Sequence, residues 1–320
     1  MNRKVSMCFV TERDLDGPVA AGILNDRRIL RCLQEFDGVE VIYLQNRKYK
    51  SIWVALLFFY LDVLGTLSKS FTVYFARGLS TCFILLSLKP FWKQRKLVYL
   101  AEAAYVSNEV KYLGFGKVER FVRYCVFRFL ENVLIPRIDA ITVPAYPYAI
   151  ELKKNGVPKS KVHVLPYYIE DVFFEQPIKY KTKGNFIFGY VGSFHRYHDL
   201  FSLVEAFEII SKKDRDTDLV FVGNGKLRPN IENEVFKRNL KDRIRFQGKV
   251  PPALIPSLLS KVDCFIHLAR APGISTSLIE AAAAGKPIIT LNKKEDATLT
   301  SYFKHRNEIY FVNSLSPEEI

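Results

Sequence analysis

Phe186-Ile187-Phe188-Gly189-Tyr190-Val191 runs without a charged side chain into Gly192-Ser193-Phe194-His195-Arg196-Tyr197-His198. Beyond that turn, Leu200, Leu203, Val204, Phe207 and Ile210 recur at i, i+3, i+4, i+7 and i+10, which is one face of a helix. An apolar run, a small-residue turn and a helical period in this order make one strand–turn–helix unit. The same unit repeats downstream. Leu219–Val222 is a strand that ends at Gly223-Asn224-Gly225, and Leu227, Ile231, Val235 and Phe236 mark the next helix. Ile244–Phe246, Cys264–Leu268, Pro287–Leu291 and Ile309–Val312 read as further strands. Upstream, Val5–Val10, Val39–Leu44, Phe71–Phe75, Leu97–Ala101, Ala140–Val143 and Val162–Leu165 do the same, with amphipathic or apolar helices between them. Such alternation implies parallel sheets with crossover helices. Strands apolar on both sides imply sheets covered on both faces. The period fails from Tyr167 to Gly184, so the expected organisation is two doubly wound α/β domains, 1–168 and 185–320, joined by a linker over 169–184 and facing a cleft. At the end, Ser316-Pro317-Glu318-Glu319 reads as a helix start, with Pro in the first turn and acids at the positive dipole end. The chain stops there, so that helix is expected to be truncated.

Composition narrows the class. With 320 residues, 49% of them hydrophobic and 25% charged, the chain is globular and long enough for two cores. Lys and Arg number 47 against 33 Asp and Glu, a net charge of +14 that favours anionic partners such as nucleotides, nucleic acid or a negatively charged membrane. A nucleic-acid binder would show a basic stripe with exposed aromatics, and no such motif is present, so no nucleic-acid partner is expected. The five cysteines (Cys8, Cys32, Cys82, Cys125, Cys264) are scattered in apolar settings without a C-x-x-C pair. They read as buried thiols in a reducing compartment rather than as metal or redox ligands. His163, His267 and His305 lack ligand spacing, so neither a metal nor a cofactor is expected. The apolar run after Met1-Asn2-Arg3-Lys4 is too short for a signal peptide, and Ile52–Gly65 contains Asp62 and is too short to span a bilayer. The expected location is cytoplasmic, with contact at the inner face of the membrane left open.

Ligands of open parallel sheets sit beyond the carboxyl ends of the strands, so the chemistry is sought in the strand-to-helix turns. In the first, Gly192 and Ser193 let the backbone approach a ligand, and Arg196 and His198 add cationic donors next to a helix N-terminus. A helix cap with a solvated Arg is the other reading. In the second, Pro272-Gly273-Ile274-Ser275-Thr276 opens a helix of small residues, where hydroxyls and free N–H groups can cradle phosphate oxygens. Glu280, just over one turn in, can accept from a ribose diol or serve only the helix dipole. Gly285-Lys286-Pro287 stops that helix. Gly223-Asn224-Gly225 is a weaker candidate, as is Gly17 in Asp16-Gly17-Pro18, whose loop can approach a diphosphate from the first domain. Glu102, at the end of the Leu97–Ala101 strand, can contact an acceptor, act as a base or have no role. Arg120-Phe121-Val122-Arg123-Tyr124-Cys125-Val126-Phe127-Arg128-Phe129 mixes aromatics with cations and resembles an interfacial helix, although a sheet-covering helix fits equally.

Glu280-Ala281-Ala282-Ala283-Ala284-Gly285-Lys286-Pro287, preceded by Val191-Gly192-Ser193 and Leu203-Val204-Glu205-Ala206-Phe207, resembles the donor domain of retaining glycosyltransferases of the GT-B fold, family four. Their signature is E-x7-E followed by A-x-G-x-P. Arg137–Val143 and Asn155–Pro166 resemble the end of that family's acceptor domain. The resemblance implies two Rossmann-like domains and a nucleotide-sugar donor bound mainly by the second. It implies Glu280 at the ribose, the amides of Gly273, Ile274, Ser275 and Thr276 at the sugar and phosphates, and Arg196 and His198 beside the diphosphate. Val250 would then lie near the base, and Gly17 near the phosphates. Two positions depart from the pattern: Pro272 stands where the first Glu of the signature belongs, and His198 stands in place of a phosphate-binding Lys. The implied function is metal-independent hexosyl transfer, with retention, to a glycan or lipid-linked glycan acceptor in polysaccharide biosynthesis. The alternative is a degenerate, non-catalytic GT-B protein that binds a nucleotide or a partner.

Overall fold

A computed structural model of the chain describes residues 5–11, 21–35, 39–45, 52–66, 71–91, 95–102, 116–175, 184–196, 198–270, 274–292, 298–304 and 309–320. It divides into two compact units, Met1–Tyr168 and Ile169–Ile320. The segment expected as a linker is therefore counted with the second unit. Its Asp171–Phe173 turn packs on the helix Thr276–Ala283, with Phe173 buried.

The first unit is a six-stranded, all-parallel sheet. Its strands are β1 (Val5–Thr11), β2 (Val39–Gln45), β3 (Val73–Arg77), β4 (Lys96–Leu100), β5 (Ala140–Val143) and β6 (Val162–Val164), in the order β2-β1-β3-β4-β5-β6. The crossovers include α1 (Ala21–Gln34), α2 (Ile52–Gly65), α3 (Leu79–Ser87), α4 (Lys117–Leu134) and α5 (Tyr146–Lys154). In β1 the consecutive residues Cys8, Phe9 and Val10 are all fully buried. Since alternate side chains point to opposite faces, both faces of this strand are covered. The chain first builds to one side of β1 with β2 and then to the other with β3, so the carboxyl ends of β1 and β3 flank the switch point. There Thr11 lies directly beside Arg77.

The second unit holds β7 (Phe186–Val191), β8 (Thr217–Val222), β9 (Ile244–Gly248), β10 (Cys264–His267), β11 (Ile288–Leu291) and β12 (Tyr310–Val312), ordered β12-β11-β10-β7-β8-β9. This is the strand order of the dinucleotide-binding fold, with the switch between β7 and β10. Its helices are α6 (Leu200–Lys213), α7 (Arg228–Lys237), α8 (Ile255–Leu259), α9 (Thr276–Ala283) and α10 (Thr298–Tyr302). The helical period read in α6 has its physical cause: Leu200, Leu203, Val204 and Phe207 are all buried on the sheet. Aromatics build the core beneath β7 and β8. Phe221 stacks on Phe246 at 5.2 Å, Phe194 meets Phe221 edgewise at 5.7 Å, and Tyr190 lies tilted against Phe221 at 5.8 Å. Truncating Phe194 to Ala removes a fully buried ring from this cluster, a loss of about 3–5 kcal/mol.

Ser316-Pro317-Glu318-Glu319 forms a single turn, with the Glu319 and Ile320 amides donating to the Ser316 carbonyl at 3.1 and 3.3 Å. The Glu319 carboxylate accepts from the Asn313 amide at 2.6 Å and holds the Ser314 hydroxyl. One expectation needs correction. The cysteines are not uniformly buried: Cys8, Cys82 and Cys264 are, Cys32 is half-buried, and Cys125 is exposed on α4.

Candidate active site

At the switch of the second unit, Phe188 and Gly189 of β7 pair with Cys264 and Phe265 of β10. The turns that leave these strands form the candidate site. After β7, the Gly192 amide donates to Val222 O at 3.0 Å, the Phe194 amide to Asn224 O at 3.0 Å, and the Tyr190 hydroxyl to Ser193 O at 2.9 Å. Gly223, at φ +133°, sits so close to Gly192 that any Cβ would overlap the Gly192 carbonyl, and a Cβ on Gly225 would meet Phe194 O at 2.5 Å. The Gly-Asn-Gly turn thus lets two loops touch backbone to backbone.

The loop after β7 is also tied to the loop after β10. The Asp199 amide donates to Leu268 O at 2.8 Å, and His198 forms an isolated antiparallel bridge with Ala269. Asp199 caps α6 by accepting from the Ser202 amide at 3.4 Å and accepts from Arg270 Nε at 3.0 Å. The half-buried His198 ring meets Tyr190 at 5.8 Å and the buried His267 at 5.4 Å, both edgewise.

Beyond β10, Ser275 is the N-cap of α9 in an extended conformation, but its side chain does not cap the helix. Its hydroxyl lies 2.8 Å from that of Ser277. The first-turn amides of α9 lack intrahelical partners and form the positive end of the helix, the arrangement that binds anions. Leu278 and Ala281 bury the opposite face, and Glu280 is only 5% exposed. Gly285, at φ +65°, closes α9, with the Lys286 amide donating to Ala281 O at 3.0 Å.

Gly192, Ser193, the exposed Arg196 and His198 therefore share one turn, while Ile274, Ser275, Thr276 and Glu280 share the next, across the switch. Val250, half-buried, follows β9 at the sheet edge, separated from β7 by β8. Gly17, Gly273 and Pro272 lie outside the described residues.

Glu102 belongs to the first unit and is not a lone loop carboxylate. It accepts from Arg77 Nη2 at 2.8 Å, while Arg77 Nη1 donates to Leu100 O at 3.0 Å. Arg77 Nε lies 2.6 Å from Asp26, whose side chain is completely buried. The Thr11 hydroxyl donates to Asp26 at 3.4 Å. Sequence reading missed Arg77 and Asp26 because one ends a strand and the other sits mid-helix. A pocket of about 20 Å³ opens here, lined by Asn25, Arg77, Glu102, Thr142 and Tyr167 among others. That is near the room one water needs, so it suits a single polar group rather than a whole sugar. Among the described residues, His, Cys, Asp and Glu form no group of three suited to a metal ion.

Two Rossmann-like units with loops clustered at a switch point define a GT-B type architecture. Residues 172–319, most of the second unit, match the family described as glycosyl transferases group 1. The alpha-D-kanosaminyltransferase of Streptomyces kanamyceticus is 24% identical over 146 residues, which is 43% of this chain and 38% of that enzyme. The chain thus spans less than half of this curated relative. Two solved structures share the fold across 98% of this chain and 87% of theirs. They are sucrose-phosphate synthase from Thermosynechococcus elongatus, with TM-score 0.74 and 15% identity, and Anabaena HepE in complex with UDP and glucose, with TM-score 0.69 and 14% identity.

Proposed function

We infer that the chain is a metal-independent, retaining glycosyltransferase that moves a hexosyl group from a nucleotide-sugar donor to a glycan or lipid-linked glycan acceptor. The observation that carries this reading is the pair of loops bonded together at the β7–β10 switch, beside the uncapped N-terminus of α9. The solved complex of HepE with UDP and glucose, on the same fold, supports a nucleotide-sugar donor. In this reading Glu280 accepts from the ribose hydroxyls. The amides of Ile274, Ser275 and Thr276 hold the phosphates and sugar. Gly192 and Ser193 let the backbone approach the ligand, Arg196 and His198 neutralise the diphosphate, and Val250 borders the base. Glu102 contacts the acceptor. Catalysis is electrostatic: fixed amides and cations stabilise the charge that grows on the departing diphosphate, and the bound acceptor is oriented for attack.

The test is calorimetric binding of UDP, GDP and ADP, followed by mass-spectrometric detection of transfer from a panel of sugar nucleotides. Glu280→Ala should weaken nucleotide binding about ten- to a hundredfold, the range expected when hydrogen bonds to a charged group are lost. Equal affinity of variant and wild type removes Glu280 from the site, and indifference to all three nucleotides refutes the reading.

A further inference from the structure

Helix α4 turns its apolar side outward. Val118, Phe121 and Phe129 are 78, 68 and 66% exposed, and Val122, Cys125 and Val126 are exposed with them. At about 100° per residue these six positions fall within a sector of roughly 140°. Only Glu131 and Leu134, near the C-terminal end, are fully buried. The helix is thus anchored by its last turns, and its first three turns lie on the surface. α3 packs beside α4 and carries the exposed Phe83.

Charge decides what covers such a face. α4 carries Lys117, Arg120, Arg123 and Arg128 against Glu119 and Glu131. Glu131 is buried beside Arg128 at 4.0 Å, and Glu119 pairs with Arg123 at 2.9 Å. On the same projection Lys117 and Arg128 border one edge of the apolar sector and Arg123 lies beyond the other, so the cations at its borders outnumber the single carboxylate there, Glu119. The chain as a whole carries +14. Apolar rings bordered by long cationic side chains match the level where acyl chains meet anionic headgroups, with the aliphatic stems lying in the apolar layer and the charges at the phosphates. Among the described residues no helix is long and apolar enough to cross a membrane, so the contact is with the surface. α4, about 27 Å long at 1.5 Å per residue, lies along it.

We propose that the outward face of α4 docks the protein on an anionic lipid bilayer. This goes beyond the assigned transfer reaction and stands whichever sugar is moved. The test is co-sedimentation of the full chain with vesicles of phosphatidylcholine alone and of phosphatidylcholine with phosphatidylglycerol in equal parts. The chain should pellet with the mixed vesicles and stay in solution with the neutral ones. Phe121→Ser combined with Phe129→Ser should weaken binding at least tenfold, and Lys117→Gln combined with Arg123→Gln should weaken it and flatten its salt dependence. An environment-sensitive maleimide dye on Cys125 gives a readout free of any folding defect in the variants: its emission should shift to the blue with mixed vesicles only. Absence of pelleting and of a dye shift overturns the proposal. So does a wild-type dimer that the Phe pair of substitutions makes monomeric without any vesicle binding, because the face then meets a second copy of the chain.

Discussion

Replacing Arg77 by Met removes the cation on which the first unit's switch point is built. The guanidinium bonds the Leu100 carbonyl at 3.0 Å and Glu102 at 2.8 Å and lies 2.6 Å from Asp26. The Arg77 and Asp26 side chains are 6 and 0% exposed, so the pair is buried. Met fills nearly the same volume but leaves the fully buried Asp26 carboxylate without this cation. Breaking a buried pair in this way costs about 3–5 kcal/mol. The Glu102 bond adds little, since that side chain is 46% exposed and its pairing is screened. For a unit of this size, that loss lowers the melting temperature by about 6–20 °C. Both tryptophans of the chain, Trp53 and Trp92, belong to the first unit, so their fluorescence in a urea titration reports its unfolding separately from the second. Asp26→Asn together with Arg77→Met should restore much of the stability, because no charge is then left unpaired. A single-variant loss below about 1 kcal/mol, or a double variant that loses the sum of both singles, refutes the reasoning.

His198→Lys should leave nucleotide affinity intact or raise it above neutral pH, because the charge becomes permanent; isothermal titration across pH checks this, and a large loss gives His198 another task. Hydrogen bonds from Lys212 and then Arg238 hold the Glu208 carboxyl below its ordinary value of 4.5. A lowered folded-state value stabilises above the unfolded value and is lost as pH falls through the folded one, so Glu208→Gln should cost about 1 kcal/mol at pH 7 and progressively less below about pH 4.5. Circular dichroism melts at both ends of that range measure it, and a gap that does not shrink in acid contradicts the assignment. Burial, with Asp263 adding to it, pushes the Cys264 thiol up to about 12. In a native thiol titration at pH 8, Cys125 should react fast and Cys264 only on unfolding; rapid labelling of Cys264 in the folded chain defeats that reading.

The architecture is legible wherever the signal is local. Cys8-Phe9-Val10 shows a strand covered on both faces because three consecutive apolar residues cannot all face water, and α6 shows its period because four residues of one stripe meet one sheet. The loops of the candidate site were equally visible, since a strand end and a helix start mark each one. What joins them was not. Arg270 reaches Asp199 across 71 residues, and the His198–Ala269 bridge spans a similar distance along the chain. Asp26 and Arg77 meet only because β1 and β3 are neighbours. No spacing rule carries such pairs, as the sheet order that creates them is a property of the whole unit. Gly223-Asn224-Gly225 read as a weak ligand turn because the sequence marks the need for a missing Cβ without marking what approaches it.

The seam that runs from Leu268 and Ala269 to His198 and Asp199 has a thermodynamic consequence. Its bonds join segments that leave β7 and β10, which are paired in one sheet, so they form with the sheet and the ordering entropy of His198, Asp199, Leu268 and Ala269 is spent during folding. If the proposed nucleotide site is correct, calorimetry with UDP should accordingly yield a small heat-capacity change, far from that of a segment that folds as it binds. Loosening the seam, for instance through Arg270→Ala, should then appear chiefly as an entropic penalty on affinity.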